Sequence, residues 1–259
     1  MLNTNLNKEI EELCFKYRKQ AVLSIKQLQE SGSPRKYFRI NFPDSHSIIA
    51  AYSENIKENE TFIYFSGVFA SLLVNTPKVL AVNAKSTIYL MEDVGSTSLL
   101  DVFSKSETEK LSIAQQALDY LIVFQTDGVK HIDFSKCYQK QIFDKELIFW
   151  DLNYFKYYFL KHEIDSLNEP ALEADFRILS DYLTAIPNNY FMYRDFQSRN
   201  IQVNNGKLYF IDYQGGMQGP LQYDLASLIY QAKANFSESE RKSLVDYYLQ
   251  SLSAKNSGK

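Results

Sequence analysis

Asp195, Asn200 and Asp212 are spaced as groups that could share a proton and a metal: an aspartate, an asparagine five residues on, and a second aspartate twelve further. Ile201 to Val203 and Leu208 to Ile211 are short β-branched and aromatic runs joined by Asn204-Asn205-Gly206. Asn and Gly tolerate positive φ, so this join predicts a hairpin. Folding it brings Asn200 and Asp212 to the same end. A neutral oxygen beside a carboxylate suits Mg²⁺, which takes hard oxygen ligands and shares them with phosphates. Asp195, one short loop upstream, could take the proton of an incoming hydroxyl.

A base, an asparagine and a metal aspartate in that order form the catalytic segment of kinase-like phosphotransferases. Tyr193-Arg-Asp-Phe-Gln-Ser-Arg-Asn200, then Ile211-Asp-Tyr-Gln-Gly215 and Gly219-Pro-Leu-Gln-Tyr-Asp-Leu-Ala-Ser-Leu228, resembles the aminoglycoside and choline phosphotransferase superfamily. Within it, the run is most similar to the bacterial N-acetylmuramate/N-acetylglucosamine kinases. Tyr193 and Gln197 depart from the pattern, which usually has His at the first position and often at the second. The resemblance implies ATP and Mg²⁺ as cofactors, Asp195 as base, and Asn200 and Asp212 as metal ligands. It implies a small-molecule acceptor, an amino sugar phosphorylated at its anomeric hydroxyl. Arg199, one residue before the metal asparagine, could reach a phosphate or an acceptor carboxylate, or brace the loop. The resemblance also makes Asp224 an anchor for the catalytic-loop backbone; a helix N-cap is an equally good local reading.

The elements that must position these residues follow from the rest of the chain. Its 259 residues are 45% hydrophobic and 15% aromatic with a net charge of -3, enough for a well-cored two-lobed protein. No basic stripe points to nucleic acid. Cys14 and Cys137 have no metal spacing, no apolar run approaches the roughly 20 residues of a membrane span, and the N-terminus lacks a signal-peptide layout. A reduced, cytoplasmic compartment is expected, with no membrane partner.

Residues 5 to 30 read as one amphipathic helix, with Ile10, Leu13, Tyr17, Ala21, Ile25 and Leu28 on one side. The Ser31-Gly-Ser-Pro34 turn follows, then strands from Arg35 and from His46. Gly32 and Ser33 stand where kinase-like folds cover nucleotide phosphates with backbone amides, and Arg35-Lys-Tyr-Phe-Arg39 resembles the corresponding stretch of the sugar kinases. The second strand, Ser47-Ile-Ile-Ala-Ala-Tyr52, lacks the lysine that protein kinases use there. Arg39 and Lys57 are the candidate cations to replace it, with Glu60 on the next helix as a candidate acidic partner. Met91-Glu-Asp-Val-Gly95 resembles the superfamily's inter-lobe link, so the main chain at Glu92, Asp93 and Val94 is expected to meet adenine.

Beyond this hinge the pattern is helical. A helix through Glu146 to His162 is expected to bury Phe149, Leu152, Phe155 and Phe159, with Trp150, Asp151, Tyr154 and Tyr158 nearer a sugar-binding cleft. The expected fold is α+β and two-lobed, protein-kinase-like: a small antiparallel-sheet lobe over residues 1–94 and a mainly helical lobe over 95–259. A choline, ethanolamine or aminoglycoside kinase, and a nucleotide-binding pseudokinase or scaffold, remain alternatives. Related sugar kinases usually continue for further helices, so acceptor binding is where a shorter chain would differ first.

Overall fold

The computed structural model describes residues 2–29 and 34–257. Gly32 and Ser33, the expected phosphate-covering turn, lie outside the described residues. Helix α1 (Leu2–Arg18) stops well before the expected residue 30. Lys19 adopts φ 57° and its N–H donates to Phe15 O at 2.8 Å, a left-handed termination. The chain then extends, and Ser24–Gln27 forms strand β1. Ile25 therefore serves a sheet edge opposite Ile40, not a helix face.

Strands β2 (Lys36–Asn41), β3 (Ser47–Tyr52), β4 (Val79–Val82) and β5 (Ile88–Glu92) complete an antiparallel sheet in the order β1-β2-β3-β5-β4. Period-two alternation gives it two apolar faces. Ile10, Leu13 and Cys14 of α1 pack with Phe38, Ile40, Ile48, Ala50, Ile88 and Leu90 on one side. Ile49, Ala51, Tyr89 and Met91 face the other way, toward helix α2 (Ile56–Ser71). That helix starts where Asn55 accepts the Glu58 N–H at 3.2 Å, and it buries Phe62, Phe65 and Phe69 at three- and four-residue steps.

The helical portion contains α3 (Leu99–Lys105), α4 (Glu107–Val123), α5 (Lys145–Phe155), α6 (Glu169–Thr184), α7 (Leu221–Ile229) and α8 (Glu238–Ser257). Ser237 and Glu240 cap α8 reciprocally, as the Ser-x-x-Glu pattern requires. Two short pairings carry the candidate site: β6 (Tyr190–Met192) with β9 (Met217–Gly219), and β7 (Ile201–Asn204) with β8 (Lys207–Phe210). The Asn205-Gly206 join has φ 50° and 73°, which is the hairpin read from sequence. One hydrophobic cluster runs from the sheet through α2 to the helices, and Phe62 stacks on Tyr213 at 4.8 Å and 6°.

Cys14 and Cys137 are buried free thiols. Among the described residues, no helix is long and apolar enough to cross a membrane.

Candidate active site

The three patterned residues converge. The Ile211 N–H donates to Asn200 O at 3.0 Å, closing the open end of the β7–β8 hairpin. Asn200 Nδ2 then lies 3.0 Å from Asp195 O and 3.4 Å from Asp212 Oδ2. With its amide nitrogen engaged by two oxygens, Asn200 has its amide oxygen as the end suited to a cation. Asp212 has φ 67° and ψ 31°, a left-handed conformation that Asp tolerates better than most residues. Gln214 Nε2 donates to Asp212 Oδ1 at 2.7 Å, and Gln214 Oε1 is buried with no hydrogen-bond partner. A carboxylate, an amide oxygen and an unsatisfied buried acceptor fit a hard, partly hydrated ion such as Mg²⁺. The set is open, since among the described residues no three His, Cys, Asp or Glu side chains cluster to hold an ion alone.

Among the described residues, no cation is in direct contact with the Asp195 carboxylate. Burial first, and the Asp212 carboxylate second, push its carboxyl above the ordinary range, against the pull of Arg194 and Arg199. Arg199 itself is exposed.

A cleft of about 470 Å³ separates the sheet from the hairpin, bounded by Ile49, Phe62, Met91, the Glu92–Ser96 linker, Asn200 and Asp212. It also borders Arg39, but that guanidinium is committed. Arg39 Nε and Nη2 meet Asp93 Oδ2 and Oδ1 at 2.7 and 3.0 Å, and the same carboxylate accepts from Ser47 Oγ at 2.8 Å and the Gly95 N–H at 3.1 Å. Asp93 thus braces the linker, and Gly95 turns it at φ 93°. Val94 is buried, and the Glu92 carboxylate accepts the Lys78 N–H at 3.5 Å.

Lys57 and Glu60 are exposed on α2. The pair built into the fold is Arg35 with Glu58, at 2.8 Å and with side chains 2% and 14% exposed. Arg35 Nη1 also donates to Tyr37 Oη at 3.3 Å, and Tyr37 lines the cleft. The signal was in the alternation: Phe38 and Ile40 face α1, so Arg35, Tyr37 and Arg39 share the opposite face.

The loop before Asp195 hangs from Asp224, in the first turn of α7. Asp224 Oδ2 and Oδ1 accept the Tyr193 and Arg194 N–H groups at 2.7 and 2.9 Å. The helix begins at Leu221 with Pro220 at its cap, so the N-cap reading of Asp224 is replaced by the anchor. Tyr193 is held at its other end, its hydroxyl donating to Ile211 O at 2.6 Å. Full burial pushes the Asp224 carboxyl up to about 7. Asp224→Ala strands two buried donors, each worth about 1–3 kcal/mol. We expect it to lose about 3 kcal/mol of stability in urea unfolding together with turnover; a loss under 1 kcal/mol contradicts the anchor.

Arg194 has φ 80°, and its Nη1 and Nη2 meet Asp151 Oδ2 and Oδ1 at 2.8 and 2.6 Å. Asp151, expected nearer a cleft, lines a cavity with Phe143, Leu152 and Tyr223, and both of its oxygens also take this pair. Of the residues expected on the buried side of the helix that carries Asp151, Phe149 and Leu152 are half-buried and the other two are not. Ile148 is its buried apolar residue, whereas Phe155 and Phe159 are 45% and 52% exposed. A π-helical turn at Lys156–Leu160 shifts the periodicity, turning Lys156 inward to Glu173 at 2.6 Å. Trp150, Tyr154 and Tyr158 stack in a row at 5.8 and 4.3 Å and stay exposed, so Trp150 and Tyr158 each keep an outer face open. Tyr154 has no free face for a sugar.

The chain matches the phosphotransferase enzyme family (APH) over residues 25–256. It is 24% identical over 220 residues to an N-acetylmuramate/N-acetylglucosamine kinase of Pseudomonas aeruginosa, a match covering 84% of this chain and 62% of that protein. With the kinase of the same name from Neisseria meningitidis it shares 25% identity over 219 residues, covering 82% and 62%. It therefore spans about 62% of the length of these curated relatives. Among solved structures, a choline kinase from Cryptosporidium parvum superposes with TM-score 0.69 at 15% identity, covering 95% of this chain and 79% of that one. A streptomycin–ATP–APH(2'')-IIa ternary complex superposes with TM-score 0.63, also at 15% identity, covering 93% and 81%. These neighbours share the two-lobed α+β kinase-like fold. With the family matched over nearly its whole length, the chain belongs to the phosphotransferase enzyme family.

Proposed function

We propose that this chain transfers the γ-phosphoryl group of ATP to a hydroxyl of a small molecule. The proposal is carried by the convergence of Asp195, Asn200 and Asp212 beside a cleft of nucleotide size. In this reading the Glu92–Val94 main chain meets adenine, with Ile49 and Met91 as apolar walls. Asn200 and Asp212 hold Mg²⁺, which when bound neutralises phosphate charge. Asp195 orients the acceptor hydroxyl and takes its proton, and Arg199 at the mouth is free to meet a phosphate or an acceptor carboxylate. Most of the acceleration comes from positioning and fixed charge. The working division is a nucleotide-covering lobe, 1–94, and a lobe of acceptor and metal chemistry, 95–259.

The acceptor we propose is an amino sugar of the N-acetylmuramate or N-acetylglucosamine kind, phosphorylated at the anomeric position in cell-wall recycling in the cytoplasm. The names of the relatives support it. The Asp151–Arg194 pair favours it over choline, ethanolamine or an aminoglycoside, because a carboxylate that influences Asp195 is already neutralised and unavailable to an ammonium group. The test is transfer from γ-labelled ATP with Mg²⁺ to a panel of both sugars, other hexoses, choline and an aminoglycoside. Labelling of an amino sugar supports the reading; labelling of a cationic acceptor alone overturns the sugar, and Mg·ATP binding without any transfer supports a pseudokinase.

The Arg35–Glu58 pair stands in for the missing strand lysine in offsetting triphosphate charge. Replacing it as a pair, with Arg35→Met and Glu58→Gln so that no buried charge is stranded, should weaken ATP binding by about 10- to 100-fold, the worth of one charged contact. Adenosine binding should not change. Isothermal titration with both ligands checks this, and equal losses for the two contradict it.

A further inference from the structure

Asp195 is aimed less by its own contacts than by the residue before it. Arg194 is fixed at both ends by carboxylates from different helices. Its N–H donates to Asp224 Oδ1 of α7 at 2.9 Å, and its guanidinium forks onto both oxygens of Asp151 on α5. The fork is flanked by two rings, with the guanidinium carbon 5.1 Å from the Phe143 centroid and 5.4 Å from that of Tyr223. Planar stacking and bidentate pairing each restrict a guanidinium that a single contact would leave to swivel. The pair is partly sheltered, with side chains 12% and 29% exposed, so water screens it less than a surface bridge.

The metal loop passes close to the Arg194 stem. A Cβ added to Gly215 would lie 3.5 Å from Arg194 Cγ and 3.9 Å from Asp195 Oδ2. The left-handed φ of 80° at Arg194 sets the direction in which the next side chain leaves the backbone. A non-glycine residue holds that conformation only where its surroundings over-determine it. Asp151 belongs to none of the sequence motifs, yet it supplies one of the two restraints.

We propose that Asp151 is a positioning residue, which through its fork to Arg194 holds Asp195 aimed at the acceptor hydroxyl. This rests on the reading of Asp195 as base. A sub-ångström drift of a catalytic group lowers turnover without altering how nucleotide binds, and this split separates positioning from general support of the fold.

The test uses the full chain with Asp151→Asn, Asp151→Glu, Arg194→Met and the double variant Asp151→Asn/Arg194→Met. Asp151→Asn should lower kcat for phosphoryl transfer by about 10- to 100-fold, with the Kd for Mg·ATP within about twofold. Asp151→Glu, which keeps the carboxylate, should recover part of the loss, and the double variant should fall no further than Arg194→Met alone. An unchanged kcat, losses that multiply in the double variant, or Mg·ATP binding that weakens in step with kcat would each overturn the proposal. Amide hydrogen exchange over residues 190–198 gives a reading independent of turnover: Asp151→Asn should speed it by about tenfold or more. If the wild-type chain transfers nothing, the base assignment fails, and exchange still decides the clamp; unchanged exchange overturns it.

Discussion

Asp195→Asn should abolish nearly all phosphoryl transfer, lowering kcat by about 10²- to 10⁴-fold, while leaving Mg·ATP binding intact. The side chains are nearly isosteric, and the hydrogen bond that joins this residue to Asn200 uses the backbone oxygen, which the substitution keeps. Only proton acceptance is removed. The same carboxyl predicts a pH dependence. Its work requires the ionised form, and burial raises the pH at which that form appears. Activity should therefore fall as pH drops through a midpoint above the ordinary aspartate value of about 4. A metal ion at Asp212 offsets that neighbour's repulsion but not the burial, so the direction survives. A pH–rate profile of kcat/KM checks it; an acid limb at or below about 4, or an Asp195→Asn variant within tenfold of wild type, contradicts the assignment.

Asp212→Asn should be as damaging by a different route. Asn tolerates the left-handed backbone that Asp212 adopts at φ 67°, so the loop keeps its shape. Its amide can still receive Gln214, whose own amide can turn over to donate or accept. The variant isolates the loss of one negative charge from the metal site. We expect the Mg²⁺ concentration for half-maximal activity to rise at least about tenfold and kcat to fall about 10³-fold or more, in line with removing charge stabilisation from a phosphoryl transfer. Thermal unfolding without metal should stay within about 1 kcal/mol of wild type, since Asp212 is only half-buried and its charge repels Asp195. Retained activity at low Mg²⁺ would shift the metal assignment away from Asp212.

The site was legible in the sequence where chemistry and backbone geometry coincide. Asn204-Asn205-Gly206 dictates a hairpin, and the hairpin dictates that Asn200 meets Asp212. Asp224 was legible only through resemblance, because nothing local distinguishes an anchor from a cap. Which cation the fold buries was not legible, because long-range pairing decides it: Glu58 selects Arg35, and Asp93 selects Arg39. The N-terminal helix was overextended because Ala21, Ile25 and Leu28 continue its apolar spacing. A single left-handed residue, Lys19, broke it, and β2 offered an edge to pair with. Beyond α5 the spacing was read as regular, and the π-helical turn at Lys156–Leu160 carries Phe159 outward.

Helix α2 carries Glu58 at one end and, about one and two turns along, Phe62 and Ser66, which stack on and hydrogen-bond to Tyr213, the residue after Asp212. The Ser66 and Tyr213 hydroxyls are 2.6 Å apart in the buried interior. Swinging this helix outward would open the Arg35 pair and tear an aromatic stack from the metal loop at once. The helix and the loop after Asp212 are therefore packed as one unit, and a displacement of either is felt by both.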